Sequence, residues 1–268
     1  MRELMNKVCV CIVFFALAAG SGCATSRHDV FSPAFDARER GVIFAVDGAG
    51  GFQSTTRAFS QAVAQAHLPF GVVPVEWSHG YGRVLADQID WPYSRECGCR
   101  LAGQIAAYRQ AFPQNKVFVV SHSAGSAVSL AAADALPPGS IDRIILLSPS
   151  ISSEYDLRPA LHCVRDGIDV YYSARDTMQL GLGTALVGTA DGCWGCAAAG
   201  RVGFQPQIQS PEDATLYGKL RQHPWNPCLT WTGNRGGHYG SYEPDFLQAF
   251  VLPLLVDRQN LLHVGGNF

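Results

Sequence analysis

Short apolar runs alternate with amphipathic stretches along most of this chain. Gly41-Val42-Ile43-Phe44-Ala45-Val46, Val117-Phe118-Val119-Val120 and Arg143-Ile144-Ile145-Leu146-Leu147-Ser148 show almost no polar alternation, which predicts strands buried on both faces. Gly71–Trp77, Ile168–Ser173 and Pro227–Thr232 predict three more strands, with Pro74 placing the second of the six at an edge or irregular position. Helices are predicted between them. One is capped by Ser54 or Thr55 and places Phe59, Val63 and Ala66 on one face, and another runs from about Tyr93 to Ala111. The alanine-rich stretch Ser126–Leu136 stops at Pro137-Pro138-Gly139, and a closing helix runs from Asp245 to about Leu255, interrupted by Pro253. Such alternation predicts an α/β domain on a mostly parallel, doubly wound sheet.

The first residues follow a different pattern. Arg2 and Lys7 precede an apolar run from Val8 to Ala19, too short to span a bilayer, and Leu17-Ala18-Ala19-Gly20-Ser21-Gly22-Cys23 follows. Residues 1–22 are expected to be a signal peptide, resembling that of a bacterial lipoprotein. This resemblance implies lipidation of Cys23 and an exported protein held at a membrane surface; a plain secretory signal is the alternative. Residues 23–40 are polar and irregular and suit a tether, which leaves 41–268 as one domain. Within it, the glycine- and alanine-rich stretch 177–211 is an excursion from the sheet. It is either a lid with Leu180, Leu182, Leu186, Val187 and Trp194 on its underside or a surface loop pinned by Cys193 and Cys196.

Composition narrows the partners. The 268 residues carry a net charge of −2, so no basic face is available for nucleic acid. Of nine cysteines, Cys9 and Cys11 fall in the signal and Cys23 at its end. The even set that remains, Cys97, Cys99, Cys163, Cys193, Cys196 and Cys228, predicts disulfides in an oxidising compartment. Cys97-Gly98-Cys99 with Cys193-Trp194-Gly195-Cys196 is a poorer zinc pattern, because the first spacing is tight and no histidine cluster accompanies it.

Candidate chemistry gathers at strand ends. Ser123 lies in Ser121-His122-Ser123-Ala124-Gly125, between a predicted buried strand and a helix. A serine hydroxyl needs an imidazole as base and a carboxylate to orient it. Asp176 follows the fifth predicted strand and His238, in Gly236-Gly237-His238-Tyr239-Gly240, follows the last. In a parallel sheet those loops share one edge. Asp156 is the competing acid, and His223 and His263 are the competing bases. His79 and Tyr81 either line the site or pack their loop.

With this order of nucleophile, acid and histidine, and a His-Ser-x-Gly turn, the chain resembles the α/β-hydrolase superfamily from Gly41 to the closing helix. The departures are Ser121 where a first glycine is usual and Asp47 where many esterases carry histidine. The resemblance implies an oxyanion hole formed by the backbone N–H groups of Ala124 and Ala49, with Gly50 the alternative to Ala49. It also implies an esterase- or lipase-like serine hydrolase acting on small-molecule or lipid esters, without metal or cofactor. A non-catalytic envelope lipoprotein using the same fold as a binding module is the competing expectation.

Overall fold

The computed structural model describes residues 40–256. The expected signal peptide, the lipidation site Cys23, nearly all of the tether and His263 lie outside the described residues. Six strands, β1 (Gly41–Val46), β2 (Phe70–Pro74), β3 (Lys116–His122), β4 (Ile141–Leu147), β5 (Val164–Tyr172) and β6 (Leu220–Pro224), form one sheet in the order β2-β1-β3-β4-β5-β6. Every adjacent pair is parallel. The expected α/β class, with a parallel doubly wound sheet, is therefore the one found.

Two cores explain the apolar runs. Along β1 and β3, Val42, Phe44, Val117 and Val119 face one core, while Ile43, Phe118 and Val120 face the other. The first core is covered by α3 (Trp91–Ala111), α4 (Gly125–Asp134) and α5 (Arg158–Cys163). The second is covered by α1 (Ser54–Gln65) and the closing segment from Pro244. A short helix, α2 (Val84–Ile89), precedes α3. The chain leaves β1 toward β2 and returns to β3 on the other side, so the crevice between the carboxyl ends of β1 and β3 is the switch point where sheets of this kind hold ligands.

Several expectations need correction. The last strand is Leu220–Pro224, whereas Pro227–Thr232 is a 3-10 helix. Pro227 has no N–H to give a ladder, and the Asn226 side chain accepts from the Cys228 N–H and caps the turn instead. The closing helix is short: Pro244–Phe246 is α-helical, Leu247–Val251 widens to π geometry, and Leu252–Leu254, containing Pro253, tightens to 3-10. Neither Ser54 nor Thr55 caps α1. The carboxylate of Asp47 does so from a distance, accepting from the N–H groups of Thr55 (2.7 Å) and Thr56 (3.2 Å) and from the Thr56 hydroxyl.

The cysteines also differ from expectation. Cys193 and Cys196 form a disulfide, while Cys97, Cys99, Cys163 and Cys228 are free. Cys97 and Cys99 sit two residues apart on α3, where side chains diverge. Cys97 is buried against the Trp77 carbonyl and Cys163 is buried at the end of α5, so packing accounts for both.

β6 escapes notice in the sequence because its side chains answer to other elements. Gln222 exchanges two hydrogen bonds with the Phe204 backbone. Arg221 and His223 reach Asp169 on β5, at 3.1 and 2.8 Å, and Arg143 on β4 reaches the same carboxylate at 2.5 Å. Burial alone would raise the pKa of Asp169, but these hydrogen bonds pull it down to about 2. Its ionised form therefore stabilises the fold at neutral pH by about 2 kcal/mol, a contribution present above pH ~4 and lost as pH falls toward 2. Asp169→Asn is expected to lower stability at pH 7 by about 3 kcal/mol, because three donating side chains lose a charged acceptor, and to lack this acid-dependent loss. Urea unfolding from pH 7 to 2.5 reads both effects.

Candidate active site

β3 runs straight into Ser123, whose backbone adopts φ 51°, a left-handed conformation that a serine takes only under constraint. The Ser123 N–H donates to Leu147 O, and Ser123 O accepts from the N–H groups of Ser126 and Ser150. The turn closes so tightly that a Cβ on Gly125 would lie 2.3 Å from the Asp47 carbonyl oxygen and 2.8 Å from that of Val46. Glycine is required there. Ser121, in place of the usual first glycine, is fully buried and its hydroxyl lies 3.5 Å from that of Ser126.

His238 Nε2 lies 2.9 Å from Ser123 Oγ, and His238 Nδ1 lies 2.6 Å from Asp176 Oδ2. With the Nδ1–H donating to the carboxylate, Nε2 is left to accept the serine proton. All three residues are buried, at 8, 6 and 1% exposure for Ser123, His238 and Asp176. The other Asp176 oxygen accepts from the Leu180 N–H at 3.3 Å, so the first turn of the excursion holds the acid. Competing candidates lie elsewhere. Asp156 is an exposed partner of Arg158, and His223 is committed to Asp169 while stacking on Tyr171.

The loop after β1 crosses the serine closely. A Cβ on Gly48 would lie 2.9 Å from His122 Nδ1 and 3.2 Å from Ser123 Cβ. Among the described residues, the N–H groups of Ala49 and Ala124 have no protein acceptor. The Gly50 N–H, the alternative donor, is already given to Asp87 Oδ2 at 2.7 Å. His79 bonds the same carboxylate, and Tyr81 is exposed with its ring edge-on to Phe52. Both make these contacts within the loop and helix that follow β2 and with Phe52 after β1.

The 177–211 stretch is hydrogen-bonded to the loop after β4. Ala190, Ala199 and Gly200 donate their N–H groups to the carbonyls of Ser150, Ile151 and Pro149. Leu180 is buried and Val187 half-buried, whereas Leu186 and Trp194 are exposed. Large apolar side chains are exposed on segments that follow the strands, among them Phe52 after β1, Leu85 after β2, Met178, Leu186 and Trp194 after β5 and Trp231 after β6. A cavity of about 390 Å³ lies behind the His238 loop, and neither Ser123 nor His238 lines it.

Some contacts could not be read from residue order. Asn234 braces the His238 loop from inside, its side-chain oxygen accepting from the Gly236 N–H at 2.9 Å. The buried His122 donates its Nε2–H to the His238 carbonyl at 2.9 Å, and the two rings pack with centroids 4.6 Å apart. Only the position of His122 beside the serine hinted at this role.

No family model and no curated protein matches the sequence. Solved structures with a similar course of chain include a predicted CIB-like hydrolase from Thermoplasma acidophilum, at 15% identity over 82% of this chain and 88% of that one, TM-score 0.45. The esterase PE8 shows 15% identity over 82% and 95%, TM-score 0.46. The carboxylesterase Cest-2923 from Lactobacillus plantarum WCFS1 shows 14% over 88% and 91%, TM-score 0.44. Values this low carry no argument about the fold or chemistry of this chain. The fold class, α/β on a parallel doubly wound sheet, is defined by this chain's own strand order and pairing.

Burial first, and then the neighbouring His238, lower the pKa of His122 to about 3. The unfolded chain takes up this proton near pH 6.5 and the folded chain does not, so stability falls as pH drops from about 6.5 toward 3. His122→Phe is expected to remove that component from the pH profile of urea unfolding. It should also lower stability at pH 7 by about 1–3 kcal/mol, because the buried His238 carbonyl loses its donor.

Proposed function

We propose that this chain is an exported serine hydrolase that cleaves carboxylic esters through an acyl-enzyme on Ser123. The observation that carries the reading is the unbroken hydrogen-bonded path from Ser123 Oγ through both nitrogens of His238 to Asp176. In the first half-reaction Ser123 Oγ attacks the ester carbonyl carbon while His238 Nε2 takes the hydroxyl proton. Charge develops on the carbonyl oxygen, where the N–H groups of Ala124 and Ala49 would receive it. The tetrahedral adduct collapses, its C–O bond breaks, and the leaving alkoxide takes the proton from His238. Water then repeats the attack with His238 as base, releasing the carboxylic acid and restoring Ser123. Asp176 orients the imidazole and balances its charge throughout.

The large apolar side chains exposed on the segments that follow the strands support esters with apolar acyl groups, small or lipid. Export and acylation of Cys23 complete the proposal, since they would keep the enzyme at a membrane surface. Mass spectrometry of the mature N-terminus tests that part, with diacylglyceryl-modified Cys23 expected.

A fluorophosphonate probe is expected to label the native protein and to leave Ser123→Ala unlabelled. With p-nitrophenyl esters of increasing chain length, Ser123→Ala and His238→Ala should each lose about 10³-fold or more in kcat. Equal turnover in the native protein and Ser123→Ala would sink the reading in favour of a non-catalytic module.

A further inference from the structure

Ala49 sits between two backbone points that are held by a single neighbouring segment, the stretch from Trp77 to Asp87. On one side the Trp77 indole N–H donates to the Asp47 carbonyl at 2.8 Å. On the other side Gly50 is held at both ends of its own unit. Its carbonyl accepts from the Gly82 N–H at 2.8 Å, and its N–H donates to Asp87 Oδ2 at 2.7 Å.

Asp87 is unusual for a residue on a six-residue surface helix, because its side chain is wholly buried. Besides Gly50 it takes three donors: the Ser78 hydroxyl at 2.6 Å on Oδ2, and the N–H (2.7 Å) and Nδ1 (2.8 Å) of His79 on Oδ1. Two of the four donors are backbone N–H groups, one on each oxygen. A carboxylate can accept on both sides, whereas an amide must turn its NH₂ toward one of them. None of these contacts involves Ser123, His238 or Asp176.

The geometry points to Asp87 as a positioning residue for the oxyanion. By holding Gly50, it keeps the adjacent Ala49 N–H aimed at the ester oxygen as that oxygen becomes an alkoxide. The inference rests on the serine-hydrolase reading above and assigns it a part remote from the triad. The effect belongs to the transition state, because a donor displaced by about 1 Å costs little in the ground state and much once charge has formed. Gln88, the next residue, bonds Ser150 Oγ at 2.8 Å and the Gly188 carbonyl at 3.2 Å, so the same short helix also braces the loop behind the serine.

The test is Asp87→Asn in the full chain. With a short p-nitrophenyl ester, kcat is expected to fall about 10- to 100-fold while KM stays within about threefold. The inhibition constant of a trifluoromethyl ketone, whose serine adduct carries the oxyanion, should rise in proportion to the loss in kcat. The acid limb of the kcat profile should not move, since His238 and Asp176 keep their partners. A loss spread equally over KM and the acid limb, or kcat within about twofold of the native value, overturns the inference. Should Asp87→Asn not fold, His79→Ala removes one donor from Oδ1 at a half-buried position and carries the same test. Its expected loss in kcat is about fivefold at constant KM, and an unchanged kcat overturns the proposal. Turnover that survives in Ser123→Ala defeats the hydrolase reading and this inference together. Turnover that needs Ser123 but ignores Asp87→Asn defeats this inference alone.

Discussion

Everything at the carboxyl edge of the sheet depends on how closely the start of α4 approaches the end of β1. Gly125 touches the carbonyl oxygens of Val46 and Asp47 at a distance no Cβ could share. That approach lets β3 reverse at Ser123 in a left-handed conformation, a strain on the order of 1–3 kcal/mol that persists because the surrounding packing leaves no alternative. β1 and β3 are buried on both faces, so neither end of the turn can relax. The same Asp47 caps α1 with its carboxylate and receives Trp77 with its carbonyl. One residue thus joins the serine turn, the loop over it and the first helix.

The edge is organised less by pairs of opposite charges than by carboxylates that collect backbone N–H groups. Asp47 serves the loop after β1, Asp87 the loop after β2, and Asp176 the loop after β5. Strand ends and helix starts leave such donors without partners, and a buried carboxylate satisfies two or more at once. Asp169 differs, because its partners are Arg143, Arg221 and His223, and it ties β4, β5 and β6 rather than a loop.

How much of this could be read from residue order differs from element to element. β1, β3 and β4 were legible because burial on both faces removes polar residues from a strand, and no other element of that length looks the same. β6 was not, since Arg221, Gln222 and His223 find their partners on β5 and near Phe204, far away in sequence. Thr230 and Trp231 suggested a strand where Asn226 and Pro227 begin a 3-10 turn. The places of Ser123, Asp176 and His238 followed from the rule that loops after parallel strands share an edge, and the structure brings their side chains into hydrogen-bond contact. Asp87 and His122 stayed hidden because each acts through a backbone group of another loop, which leaves no trace in spacing. The cysteines misled because parity alone says nothing of distance. Cys97 and Cys163 are simply core residues.

Among the described residues β6 is an outermost strand, paired on one side only, and His238 lies in the chain beyond it. Outer strands detach at lower free energy than central ones. A fluctuation that frees this strand would withdraw the imidazole while the turn at Ser123, anchored between central strands, stayed in place. Separation of His238 from Ser123 therefore does not require loss of the fold.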